Sequence, residues 1–208
     1  GLKEMIEGTA IAKYFKKIYA SSFYYNYRGV AIWPAQAINY TSKTQFLFRI
    51  EKGVLDINDD RVNDSIPPEK LRVPFRNIVY IGDSATDIPC MKLVNSYGGH
   101  SIGVFDSKSG NKENVFKLLQ ENRIYHYAPD YSRGSKLDNL MAAIIEKTAA
   151  FETLQRLHIE DVLEKESAKI EIVNKSLKHI VNQKLEENIK QERTHERHKM
   201  IDLDFFSN

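Results

Sequence analysis

Two acids four positions apart, Asp83 and Asp87, stand in the run Gly-Asp-Ser-Ala-Thr-Asp that follows Ile78, Val79, Tyr80 and Ile81. Carboxylates so placed suit a hard cation such as Mg²⁺, which takes oxygen ligands and keeps several of its waters. The same residues also suit a plain structural end, with Asp83 in a turn and Asp87 capping a helix. The third group with chemistry is Lys43, near the start of a helical pattern over residues 39–53. The helix dipole favours anions at that end, so a lysine there is either a solvated surface residue or one that faces an anion. His100 and His126 lack a second histidine or cysteine at ligand spacing and are expected to cap or pack. His195 and His198 miss the spacing of the H-E-x-x-H metal motif by one.

These groups need elements to position them. Ile78 to Ile81 is an unbroken apolar, β-prone run, which predicts a strand buried on both faces, as in a parallel sheet. Gly82 ends it, and Pro89 sits where the first turn of a helix tolerates proline, with Met91, Leu93 and Val94 continuing the pattern. The segment therefore reads strand, acidic loop, helix. Ligands in open α/β sheets bind at the carboxyl ends of the strands. A second strand is predicted over residues 101–105, an amphipathic helix over 111–122 and a third strand over 124–128; such alternation argues a parallel α/β sheet.

Upstream, apolar residues recur at helical spacing over residues 2–15, broken at Gly8. A strand over 17–25, the turn Asn-Tyr-Arg-Gly and a strand over 30–33 make a hairpin, closed by Pro34. In the helix over 39–53, Asn39 or Thr41 supplies the cap, Phe46, Leu47 and Ile50 the apolar face, and Gly53 the stop. Residues 54–76 are acidic and then proline-rich, and read as a solvated loop. Residues 134–151 are helical, with Leu137, Leu140, Met141, Ile144 and Ile145 as the buried stripe. From Glu152 onward glycine and proline vanish. Leu163, Ile170, Val173, Leu177 and Ile180 form a thin seam there, interrupted by Glu166, in a long exposed helix or helix pair. Two regions follow: residues 1–150 as an α/β core and 151–208 as a helical extension.

The bulk numbers exclude several classes. An apolar share of 42% over 208 residues is enough for a real core. The net charge of +2 offers no global attraction for nucleic acid or membrane. Lys and Arg recur after Lys165, but acids interleave with them at nearly equal number. A single cysteine, Cys90, allows no internal disulfide and fits a reducing compartment, so a cytoplasmic location is expected. No apolar run approaches the ~20 residues that span a bilayer. The chain begins with Gly1 rather than Met, and the helical pattern is already under way there, so the N-terminus is expected to be a trimmed or processed edge.

Gly-Asp-Ser-x-x-Asp after a buried strand resembles the fourth motif of the haloacid-dehalogenase (HAD) superfamily of phosphohydrolases. Residues 1–129 resemble its phosphoserine-phosphatase-like branch, with Lys43, in Asn-Tyr-Thr-Ser-Lys-Thr-Gln, at the position of the family lysine. The resemblance implies a partial HAD core with a Rossmann-like parallel sheet. It implies a Mg²⁺-dependent phosphatase that hydrolyses a small phosphomonoester through an aspartyl-phosphate. Asp83 would then ligate the metal directly, and Asp87 would bind it through water or orient Lys43. Lys43 would hold the phosphate and the nucleophile carboxylate. The serine of the family's second motif would fall just before Gly1, which makes Gly1 and Lys43 the substrate-binding candidates. The nucleophile motif D-x-D-x-T and the cap domain are missing, and the family places both upstream of Gly1. Asp202 and Asp204 form the only D-x-D here, without the following Thr. The alternative expectation is a catalytically inactive remnant that serves as an interaction module through its C-terminal helix, with a homodimer as the favoured assembly.

Overall fold

The structure, a computed structural model, describes residues 1–129 and 131–205, with side chains described as far as residue 193 apart from that of 191. It is a mixed α/β chain with two compact units, residues 1–148 and 149–208.

In the first unit β3 (Val79–Gly82), β4 (His100–Val104) and β5 (His126–Ala128) form a parallel sheet in the order β3-β4-β5. Val79 pairs with His100, and Ile102 with His126. The crossovers are α3 (Ile88–Ser96) and α4 (Glu113–Gln120). Parallel neighbours need such crossovers, because a tight turn reverses direction. Period-two alternation then sorts the side chains. Tyr80 and Tyr127 face a cluster of Met91, Val115 and Ile124 from α3, α4 and the β5 approach. Val79, Ile102 and Ala128 face Leu137 and Ile144, from the start of α5 (Lys136–Phe205). A third cluster of Leu47, Phe75, Ile78, Cys90 and Val94 seats α2 (Lys43–Lys52) against α3.

Several expectations are refined. Helices cover both sheet faces, yet β3 is an end strand and Ile81 stays 38% exposed; it is not buried on both faces. Pro34 does not close the hairpin of β1 (Ser22–Tyr25) and β2 (Ala31–Gln36) but sits inside β2, opposite Phe23. A two-stranded ribbon has only edge strands, and proline's missing N–H is tolerated there. The helix over residues 2–15 splits at Gly8 as its glycine predicts, into α1 (Leu2–Glu7) and a 3₁₀ turn at Ala12–Tyr14. Residues 54–76 are not merely solvated. The buried Arg49 donates to the carbonyls of Asp56, Ile57 and Asp59, at 2.6 to 3.0 Å, and so ties the loop down. His100 packs, as expected, and accepts a hydrogen bond from the Lys147 ammonium at 3.0 Å.

Helix α5 runs unbroken from Lys136 to Phe205 as one helix, not a pair. It starts only after Gly134, whose φ of 76° is left-handed and cannot belong to an α-helix. Among the described residues no helix is long and apolar enough to cross a membrane.

Candidate functional site

The carboxyl end of β3 turns at Gly82, and only glycine fits there. A Cβ at Gly82 would lie 2.8 Å from Asp87 Cβ and Cγ and from Met91 Cε. The missing side chain lets Asp87 fold back against the strand end. Ser84 then opens a 3₁₀ turn (Ala85–Asp87) as the N-cap of a capping box, with Asp87 as its reciprocal partner. Pro89 follows in the first turn of α3, where its absent N–H is not needed.

The cap uses only half of the Asp87 carboxylate. Oδ2 accepts from the Ser84 backbone N–H at 3.2 Å and from the Ser84 hydroxyl at 2.9 Å. Oδ1 accepts from the Lys43 ammonium at 2.7 Å and from the Tyr80 hydroxyl at 2.7 Å. A helix cap has no call for these last two donors, so Asp87 does more than start α3. Lys43 arrives as the first residue of α2, and Gly53, at φ 75°, ends that helix with a left-handed cap. The cap on the N-terminal side is built around Asn39. Its Oδ1 accepts from the Thr41 and Ser42 N–H groups, and its carbonyl accepts the Lys43 N–H. Lys43 also donates to the Thr86 hydroxyl at 3.2 Å. Thr86 in turn donates to Ser84, whose own proton is committed to Asp87. A closed ring of four side chains results, and one of the three Lys43 N–H donors is left over for an external anion.

Burial shapes the electrostatics. The Asp87 side chain is 9% exposed and that of Lys43 28%. Burial pushes the Asp87 carboxyl up, but the hydrogen bonds from Lys43, Tyr80 and Ser84 together with the Lys43 charge outweigh it and hold the group below its ordinary value. Tyr80 is pushed well above the ordinary phenol value, first by burial and then by its bond to the Asp87 carboxylate. Its proton therefore stays in place as a donor.

Asp83 stands apart. It is exposed, and its carboxylate enters no hydrogen bond or ion pair among the described residues. Its oxygens are free for an external cation, whereas all four acceptor positions of Asp87 are taken. No group of three or more His, Cys, Asp or Glu that could hold a metal occurs among the described residues. One free carboxylate, with a second holding a lysine nearby in sequence, suits Mg²⁺ with waters and further ligands from elsewhere better than a complete protein cage.

The structure thus brings Lys43 and Asp87 together across 44 residues, with Asp83 on the same loop. Gly1 is not tied to them. It caps the exposed α1, and its ammonium pairs with Glu4 at 2.6 Å. The side chains of Asp202, Asp204, His195 and His198 lie outside those described. Two participants escaped the sequence reading, Tyr80 and Thr86. The signal for Tyr80 was a single hydroxyl in an otherwise aliphatic strand run.

No family model matches the chain, and no solved structure matches it. The chain is similar to an uncharacterized protein of Borreliella burgdorferi, 30% identical over an alignment of 154 positions that covers 67% of this chain and 53% of the relative. The chain therefore spans about half the length of the curated relative it matches.

Proposed function

We propose that this chain is the C-terminal portion of a Mg²⁺-dependent HAD-like phosphatase. It would hydrolyse a small phosphomonoester through an aspartyl-phosphate whose Asp lies upstream of Gly1. The observation that carries the proposal is the 2.7 Å pair of Lys43 and Asp87 at the carboxyl end of β3, beside the free carboxylate of Asp83. Phosphoryl transfer asks for positive charge on the phosphate, a cation and an in-line nucleophile. Lys43 supplies the first, held by Asp87, Thr86 and, through Asp87, Tyr80. Asp83 is the residue that would hold Mg²⁺, which when bound neutralises charge on the phosphoryl oxygens. The nucleophile has a place to come from. Among the described residues no strand pairs with the outer edge of β3, and Ile81 within it is 38% exposed. A further strand would lie ~4.8 Å away, so its carboxyl end would fall next to Asp83. On this proposal the three described strands are part of a larger Rossmann-like sheet.

Lys43→Met in the full-length protein is expected to lower phosphatase turnover at least ~10²-fold, the scale of one preorganised charge-stabilising donor. Lys43→Arg should not restore it, since a planar fork does not reproduce a point charge. Steady-state kinetics with a small phosphomonoester checks both. Wild-type turnover in Lys43→Met would return the lysine to a purely structural pairing.

A second reading rests on the second unit. Leu163, Ile170, Val173, Leu177 and Ile180 lie 49% to 61% exposed along α5. A single helix gains little stability in water by itself, and most helices are held by packing. An interaction module through this seam, with a second copy as partner, is the alternative function. Sedimentation of the intact chain against one ending near Ala150 is expected to show a larger species only for the intact chain, at tens of micromolar. Two monomers with undiminished helical circular dichroism would reject self-association.

A further inference from the structure

A concave site opens at the carboxyl ends of β4 and β5, away from β3. It is a cavity of about 480 Å³ between the loop after β4 and the start of α5, with Phe105, Ser107, Gly110, Lys112, Tyr127 and Lys136 in its lining. Two aromatic rings, Phe105 and Tyr127, stand in the wall, and its charges have one sign. The Lys112 ammonium lies 5.8 Å from the Phe105 ring centroid, and that of Lys136 lies 3.6 Å from the Tyr127 centroid. The rings hold both cations in place. Neither lysine pairs with a carboxylate among the described residues. Asp106, Glu113 and Asp138 lie near them in sequence, but none of these acids is in the cavity lining; Asp106 accepts the Lys108 N–H at 2.9 Å and Asp138 the Gly134 N–H at 2.7 Å. Lys136 is also the first residue of α5, where the dipole disfavours a cation. Lys43 shows the same anomaly at the start of α2, and there an anion answers it.

We infer that this cavity binds a small organic anion with a flat apolar body, its negative group between Lys112 and Lys136 and its body against Phe105 and Tyr127. Two ammonium groups without a carboxylate between them in the lining focus a positive field on the cavity mouth and favour an anion there. The apolar wall adds burial that a bare inorganic anion cannot use. This site stands on its own residues and does not depend on Lys43 or Asp83.

Benzenesulfonate and inorganic sulfate are the two probes, titrated into the full chain while the amide resonances of Ser107, Gly110 and Tyr127 are followed. Benzenesulfonate is expected to shift them saturably and more tightly than sulfate. Lys112→Met and Lys136→Met, which keep the apolar stems, should each weaken binding ~10-fold or more, the scale of one lost hydrogen bond to a charged group. Lys43→Met should bind as wild type. The His126 imidazole gives a second readout. Burial and the Lys136 charge hold it below its ordinary value, so a bound anion should move its titration upward. Shifts that do not saturate, affinity equal for sulfate, or binding that survives both lysine substitutions would each overturn the inference.

Discussion

Asp83→Asn in the full-length protein is expected to lower Mg²⁺-dependent turnover at least ~10²-fold and to leave stability within about 0.5 kcal/mol. The two halves of this expectation have separate physical grounds. Asparagine keeps the size of aspartate but presents a neutral amide, a poor ligand for a hard cation that prefers charged oxygens. Folding, by contrast, does not use this carboxylate. Asp83 is exposed and has no hydrogen-bond or ion-pair partner among the described residues, so removing its charge breaks nothing in the fold. Kinetics across a Mg²⁺ titration and a urea transition together check the claim. Unchanged turnover would remove Asp83 from the proposed chemistry, and a large loss of stability would show that the residue is structural.

Asp87→Ala is the complementary case. It should destabilise the first unit by about 2–4 kcal/mol, because it strands three side-chain donors at once: Lys43, Tyr80 and Ser84. The figure lies below that of a fully buried pair because Lys43 is 28% exposed and can turn to water. The sign of the pH dependence follows from the lowered carboxyl. A group whose pKa is depressed by folding adds stability above its unfolded value, ~3.9, and that stability is lost as the pH falls through the folded value. The gap between wild type and Asp87→Ala should therefore be widest near neutrality and shrink below about pH 4. Urea midpoints at several pH values measure it. A constant gap down to strong acid would mean that the carboxylate's charge contributes nothing and that the loss is one of packing.

Together the two substitutions test the separate roles of the two acids. Asp83 and Asp87 are the same residue type four apart on one loop. One is spent inside the protein, and the other is open to solvent. The spacing of the pair alone does not say which is which; the resemblance offered the Asp87–Lys43 pairing as one of two roles, and the fold brings that pairing about through α2.

Local chemistry made much of the first unit legible in the sequence. The aliphatic run before Gly82, Pro89 in a first turn, Gly53 as a helix stop and the alternation of strands with helices all act within a few residues, and the parallel sheet of β3, β4 and β5 follows from them. Gly134 and the apolar stripe of Leu137, Leu140, Met141 and Ile144 likewise marked where a helix begins and which side it buries, whereas Ile145, read into the same stripe, is 61% exposed. What depends on distant partners was decided by tertiary structure. The place of β3 at the end of the sheet leaves Ile81 part exposed, although its run reads as fully buried. Pro34 is admitted into β2 because a two-stranded ribbon leaves every strand an outward edge. Arg49 is buried because the carbonyls of a loop that looked merely solvated close around it. The Lys43–Asp87 pair joins two helix starts 44 residues apart, and the Tyr80 hydroxyl reaches the same oxygen from within a strand. Periodicity and caps carry no information about such meetings. They arise when packing of apolar faces fixes the backbone, and the polar groups then pair with whatever donors the packing has placed within 3 Å of them.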